Sequence, residues 1–108
     1  MAAVLTPALA LDYLRELSAD IRAGVVLDAD GELLAGPAPL AAPARALLDA
    51  APAAAELQVA TAGGAVFAAR DGRHAIVVTC GRFALPAILR HDLRVVLAEL
   101  RGDRREAA

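Results

Sequence analysis

A single stretch, Ile21 to Gly36, restricts what this chain can fold into more than any other. Ala23 to Leu27 is a continuous apolar run that contains the β-branched pair Val25 and Val26. A strand apolar on successive residues needs cover on both faces, so this one belongs inside a sheet with helices above and below it. Asp28-Ala29-Asp30-Gly31 then supplies turn chemistry: an aspartate bonds the nearby backbone and glycine accepts φ > 0. Glu32 to Ala35 returns as a second strand, and Gly36-Pro37 stops it.

Before the hairpin, Thr6 can N-cap a helix with Pro7 at its first position. Leu9, Tyr13, Leu14, Leu17 and Ile21 fall at helical spacing, which predicts a helix over about Pro7 to Ala19 with those side chains inward. After it, Leu40 to Ala51 reads as a second helix with Leu40, Ala44, Leu47, Leu48 and Ala51 on one face. Pro43 is tolerable there only in the first turn. Arg45 and Asp49 are its single charged stripe, and a helix apolar nearly all round is expected to be covered nearly all round. Leu57 to Thr61, Ala65 to Ala69 and His74 to Cys80 follow as three strands joined by Ala62-Gly63-Gly64 and Arg70-Asp71-Gly72-Arg73. Leu85, Ile88, Leu89, Leu93, Val96, Leu97 and Leu100 mark the buried stripe of a last helix. Pro86 opens it, Gly102 closes it, and Asp103 to Ala108 is expected to be a frayed, disordered polar tail.

Ile76-Val77-Val78 is as continuously apolar as the first strand, so strands one and five are expected side by side at the centre. With the hairpin links this predicts one α/β domain over 1–102, an αβα sandwich with a five-stranded antiparallel sheet in the order 2-1-5-4-3. Strands two and three are its edges. Edge strands normally carry charge or proline, and Leu57 to Thr61 carries neither. Together with the apolar second helix, that places an oligomerisation surface on Leu40, Ala44, Leu47, Leu48, Leu57, Gln58, Val59, Ala60 and Thr61.

Composition narrows the partners. A net charge of -2 argues against a nucleic-acid binder that works through a basic surface. Every cation is arginine and lysine is absent, which reads as genome base composition before any role. The one cysteine, Cys80, excludes an internal disulfide and suits a reducing compartment. Ala8-Leu9-Ala10 resembles a leader cleavage pattern, but Met1 to Ala10 lacks a basic start and makes sense as a helix beginning, so the expectation is a cytoplasmic chain without membrane insertion.

Helix, hairpin, helix, three-strand meander and helix is the plan of the roadblock family, which includes the dynein light-chain roadblock proteins and bacterial homologues. The residues from Ala23 to Ala35, with Asp28-Ala29-Asp30-Gly31 at the turn, resemble that family's glycine, apolar strand, Asp-x-Asp-Gly and return strand. The resemblance extends from Leu5 to Leu100. It implies a pair of chains, identical or paralogous, whose third strands continue one sheet and whose second helices lie together. It further implies a non-catalytic platform or regulator for a small Ras-like GTPase. Thr79-Cys80-Gly81-Arg82-Phe83 matches no signature of the family, and no functional residue is transferred.

Catalytic, cofactor and metal chemistry is weakly represented. The acidic run Asp28 to Glu32 is too short of ligands for a calcium loop, and turn chemistry explains it better. His74 and Cys80 share strand parity, yet two ligands do not make a zinc site. Cys80 as a nucleophile needs a base and a cationic setting, so a buried core thiol is the better reading, and His91 reads as a solvated residue beside Asp92. Arg70 and Arg73 could meet an acidic partner, although a solvated hairpin tip accounts for both. Arg101-Gly102-Asp103 resembles an adhesion tripeptide and is better explained as a helix end. No Walker-type phosphate loop is present, so the chain is not itself a nucleotide hydrolase. Three readings compete: a dimeric GTPase-binding module, which is favoured, a small-ligand sensor with an internal pocket, and an enzyme using Cys80.

Overall fold

The computed structural model describes residues 5–107, with side chains placed over 5–100. Residues 1–4, which begin the stretch weighed as a leader, and Ala108 at the end of the tail lie outside the described residues. The elements follow the chain as α1 (Pro7–Leu17), β1 (Ile21–Asp28), β2 (Leu33–Ala35), α2 (Ala41–Ala50), β3 (Glu56–Thr61), β4 (Gly64–Arg70), β5 (His74–Cys80) and α3 (Pro86–Ala107), with one 3-10 turn at Ala38–Leu40. The strands form one five-stranded sheet in the order β2-β1-β5-β4-β3, antiparallel at every junction. The architecture and the order are those the sequence predicts.

Local chemistry explains the boundaries. The Thr6 hydroxyl accepts from the Leu9 N–H at 3.2 Å, and Pro7 follows it as the first helical residue. At the β1–β2 turn, Asp28 Oδ1 accepts from the N–H groups of Asp30 and Glu32, each at 2.9 Å, and Gly31 takes φ 83°. The acidic run is therefore turn chemistry. Asp71 Oδ1 organises the β4–β5 turn in the same way, accepting from Arg73 and His74 at 2.8 and 2.9 Å. Gly64 starts β4 where a Cβ would overlap the Cys80 carbonyl oxygen of the neighbouring strand.

Side-chain alternation divides the core in two. Val26, Phe67, Ile76, Val78 and Cys80 face α1 and α3, where Ala10, Leu14, Leu89, Leu93, Val96, Leu97 and Leu100 cover them. Val25, Leu27, Ala68, Ala75 and Val77 face the other way, under Ala44 and Leu48 of α2. Both faces of β1 and β5 are thus occupied, as their continuous apolar runs require.

Three expectations need correction. On α1, Leu14 and Ala10 are buried while Leu9, Tyr13 and Leu17 are exposed. Residues 10 and 14 form the ridge next to 9, 13 and 17, about 100° round the helix, and the sheet takes the first. On α3 and just before it, Ile88 and Leu85 are exposed although the other five stripe residues are buried. Finally, α3 continues through Gly102 to Ala107, because one glycine costs a helix about 1 kcal/mol and no proline follows to end it.

Candidate functional site: an open sheet edge beside an apolar groove

Among the described residues β3 has a single neighbour in the sheet, β4. Its register runs from Glu56↔Ala69 to Thr61↔Gly64. One step before this, the Arg70 N–H donates to the Ala55 carbonyl at 2.9 Å. Hydrogen-bonded pairs alternate along an antiparallel ladder, so Leu57/Ala68, Val59/Val66 and Thr61/Gly64 are the bonded pairs. The backbone N–H and C=O groups of Glu56, Gln58 and Ala60 consequently point away from the sheet.

The two sides of this edge differ. Toward α3, the side chains of Glu56 and Gln58 are held by arginines: Arg94 contacts Glu56 at 2.9 Å and Arg90 donates to Gln58 Oε1 at 3.1 Å. The strand begins at Glu56, one residue earlier than the sequence suggests, and so carries a charge at its start. Toward α2 the edge is apolar. Val59, Val66, Val77 and Val25 form the floor of a groove of about 180 Å³ whose wall is Leu40, Pro43, Ala44 and Leu47.

The residues expected to form the oligomerisation surface fall into two groups. Ala44 and Leu48 are buried within the chain, seated on the sheet. Leu40 and Leu47 are half-buried at the groove, Leu57 is half-buried against the α2-side core, and Gln58, Val59, Ala60 and Thr61 are exposed along the edge. The outer side of α2 carries Ala42, Ala46 and Ala50, all small and exposed.

Two arginines fasten α2 beside the groove. Arg45 Nη1 donates to the Gly31 carbonyl at 2.9 Å, tying the helix to the β1–β2 turn. Arg70, reaching from the end of β4, donates to the carbonyls of Ala54 at 2.8 Å, Leu48 at 3.0 Å and Ala51. The last turn of a helix leaves carbonyls without internal donors, and a guanidinium there satisfies them and complements the helix dipole. Arg70 is therefore a helix clamp rather than a solvated hairpin tip, while Arg73 is exposed. Sequence spacing gives no sign of this, since the helix end and Arg70 meet only through the fold.

Other chemistry does not assemble. His74 and Cys80 stand at opposite ends of β5, about 20 Å apart along an extended strand. Among the described residues no cluster of three or more His, Cys, Asp or Glu side chains could hold a metal ion. Cys80 is buried, and desolvation, with the nearby Asp20 carboxylate adding to it, pushes its thiol from 9.0 up to about 11. That keeps the thiol protonated at neutral pH, the opposite of what a nucleophile needs. No helix among the described residues is long and apolar enough to cross a membrane.

No protein-family model matches the sequence, and no curated protein matches it. Solved structures do match its shape. A roadblock/LC7 domain from Streptomyces avermitilis superposes with a TM-score of 0.75 at 18% identity, covering 86% of this chain and 92% of that one. MglB in a tetrameric arrangement gives 0.75 at 15% identity, over 92% and 88% of the two chains. MglB of Myxococcus xanthus gives 0.70 at 14% identity, over 92% and 87%. Superposing on these structures over most of both chains, this chain has the roadblock/LC7 fold.

Proposed function

We propose that this chain is a non-catalytic interaction module that pairs through β3 and α2 and, as a pair, binds or regulates a small Ras-like GTPase. The observation that carries the reading is the edge itself: three outward-facing backbone positions beside an apolar groove, with no proline among them. A two-fold axis through Gln58 opposes Gln58 to its own counterpart and Glu56 to the counterpart of Ala60. It engages every outward-facing position of the strand at once, with an identical or a paralogous chain as the partner. On the groove side it brings Leu57 against the counterpart of Val59, and the small residues of α2 let two such helices approach closely. Likeness to an MglB solved in a tetrameric arrangement supports self-association, and the roadblock resemblance supports the GTPase as client. The same resemblance and the single buried cysteine support a cytoplasmic setting. An internal ligand pocket fits less well, because the groove of about 180 Å³ and the hollows of about 230, 250 and 270 Å³ elsewhere on the surface are all short of the usual ligand cavity.

Proline substitution along β3 tests the pairing. Gln58→Pro removes an outward N–H, so it is expected to weaken self-association by about tenfold or more while leaving the fold intact. Val59→Pro removes an N–H bonded to β4 and is expected to lower the thermal midpoint instead. Light scattering reports mass and circular dichroism reports fold; a wild-type chain that is monomeric at tens of micromolar overturns the pairing. For the client, thermal-shift binding against small GTPases encoded beside this gene, in both nucleotide states, decides the second half.

A further inference from the structure

Among the described residues nine large apolar side chains are exposed, and seven of them lie on α1, α3 or the segment leading into α3. The chain has only three aromatic residues. Phe67 is in the core at 1% exposure, but Tyr13 and Phe83 are on this surface, and Phe83 is 87% exposed. Aromatic side chains left on a surface otherwise poor in them mark recognition sites more often than chance exposure does.

The topology gathers these residues. Ile21 pairs with Cys80, and the Gly81 N–H donates to the Asp20 carbonyl at 3.0 Å, so α1 enters the sheet at the corner where the segment to α3 leaves it. Leu17 and Phe83 flank that corner. On α1, Ala8, Asp12 and Arg15 border a hollow at the β2 side, which turns Leu9, Tyr13 and Leu17 toward α3. On α3, Arg90 and Arg94 are bound to β3, which turns the ridge of Leu85, Ile88, Asp92, Val95 and Glu99 toward α1. The two stripes border one apolar valley between antiparallel helices.

Among the described side chains its charge is mainly acidic. Glu16 flanks the stripe on α1, and Asp92 and Glu99 lie on the α3 ridge, against the one cation Arg82 beside Phe83, whereas Arg90 and Arg94 are on the far flank and engaged with β3. We infer that this valley is a second docking surface, whose occupant is a basic amphipathic helix of a partner protein. Such a helix lays apolar side chains at i, i+3 and i+4 into the valley and sets its cations against the carboxylates. A second copy would set acid against acid here, and an anionic lipid surface would meet the same repulsion. The inference is independent of pairing through β3, which uses the opposite face of the sheet and its edge.

The test uses fluorescence anisotropy with a labelled leucine–lysine helical peptide of about 18 residues, and the same peptide with glutamate for lysine. The lysine peptide is expected to bind at least about tenfold more tightly than the glutamate peptide. The double variant Phe83→Ser with Ile88→Ser should lose about tenfold or more of that affinity with an unchanged circular dichroism spectrum, since both side chains are exposed. Glu16→Gln with Glu99→Gln should weaken the lysine peptide alone, and Gln58→Pro should leave its affinity unchanged. Equal binding of the two peptides, or wild-type affinity in the Phe83 and Ile88 variant, overturns the inference. So does loss in that variant of a higher-mass species in light scattering, which assigns the valley to a second copy, or of binding to phosphatidylglycerol vesicles, which assigns it to a membrane.

Discussion

The two faces of the one sheet are built to different standards. The α1/α3 face is covered by helices of 11 and 22 residues, and helices and strands together place fourteen buried side chains in that layer, Phe67 among them. The α2 face has one helix of 10 residues in a layer of seven buried side chains, and its groove of about 180 Å³ is lined by apolar residues apart from Thr79. Buried apolar area sets most of the stability, so the first face holds the domain together. The second is short of cover in the place where the open β3 edge begins. A thin layer beside an open edge is the arrangement a second chain can complete, and the thick layer is what lets the domain fold before it does.

The comparison can be broken most directly at Phe67. Truncating this ring, which is wholly buried beneath α3, to alanine should cost about 3–5 kcal/mol in chemical denaturation. A loss much smaller than this would mean that the α1/α3 layer is not the main source of stability.

Arg70 sharpens the contrast at lower amplitude. Arg70→Ala leaves the carbonyls of Leu48, Ala51 and Ala54 without their guanidinium donor and is expected to cost about 2 kcal/mol. Hydrogen exchange should rise in the last turn of α2 while α1 and α3 keep their protection. Uniformly faster exchange would show that α2 is not a separately anchored layer.

The smallest effect is a pH dependence. The Cys80 thiol is raised from 9.0 to about 11 by burial and by Asp20. A group whose folded-state pKa is raised contributes stability that is full below pH 9.0 and is lost as the pH climbs through about 11. Wild type should therefore lose more thermal stability between these limits than Cys80→Ala does. Parallel curves would place the thiol in a wetter setting than the packed face provides.

Much of this was legible from residue order. Continuous apolar runs at Ala23 to Leu27 and Ile76 to Val78 demanded cover on both faces, and two-faced strands must be central, so the strand order followed from the hairpin links. Asp28, Gly31, Thr6 and Pro7 act through neighbours a few residues away, which is why turns and caps could be read directly.

The sequence by itself thus determined the layers, the strand order and the edge position of β3, because periodicity and turn chemistry are local. The tertiary structure alone decided which of two adjacent ridges on α1 meets the sheet, since Leu9, Tyr13 and Leu17 have a helical spacing as regular as Ala10 and Leu14. It also decided that Arg70 closes a helix ending nearly twenty residues earlier, and that Gln58 rather than Val59 directs its backbone outward. Register, ridge choice and long-range hydrogen bonds depend on where a second element lies, and no pattern within one element encodes that.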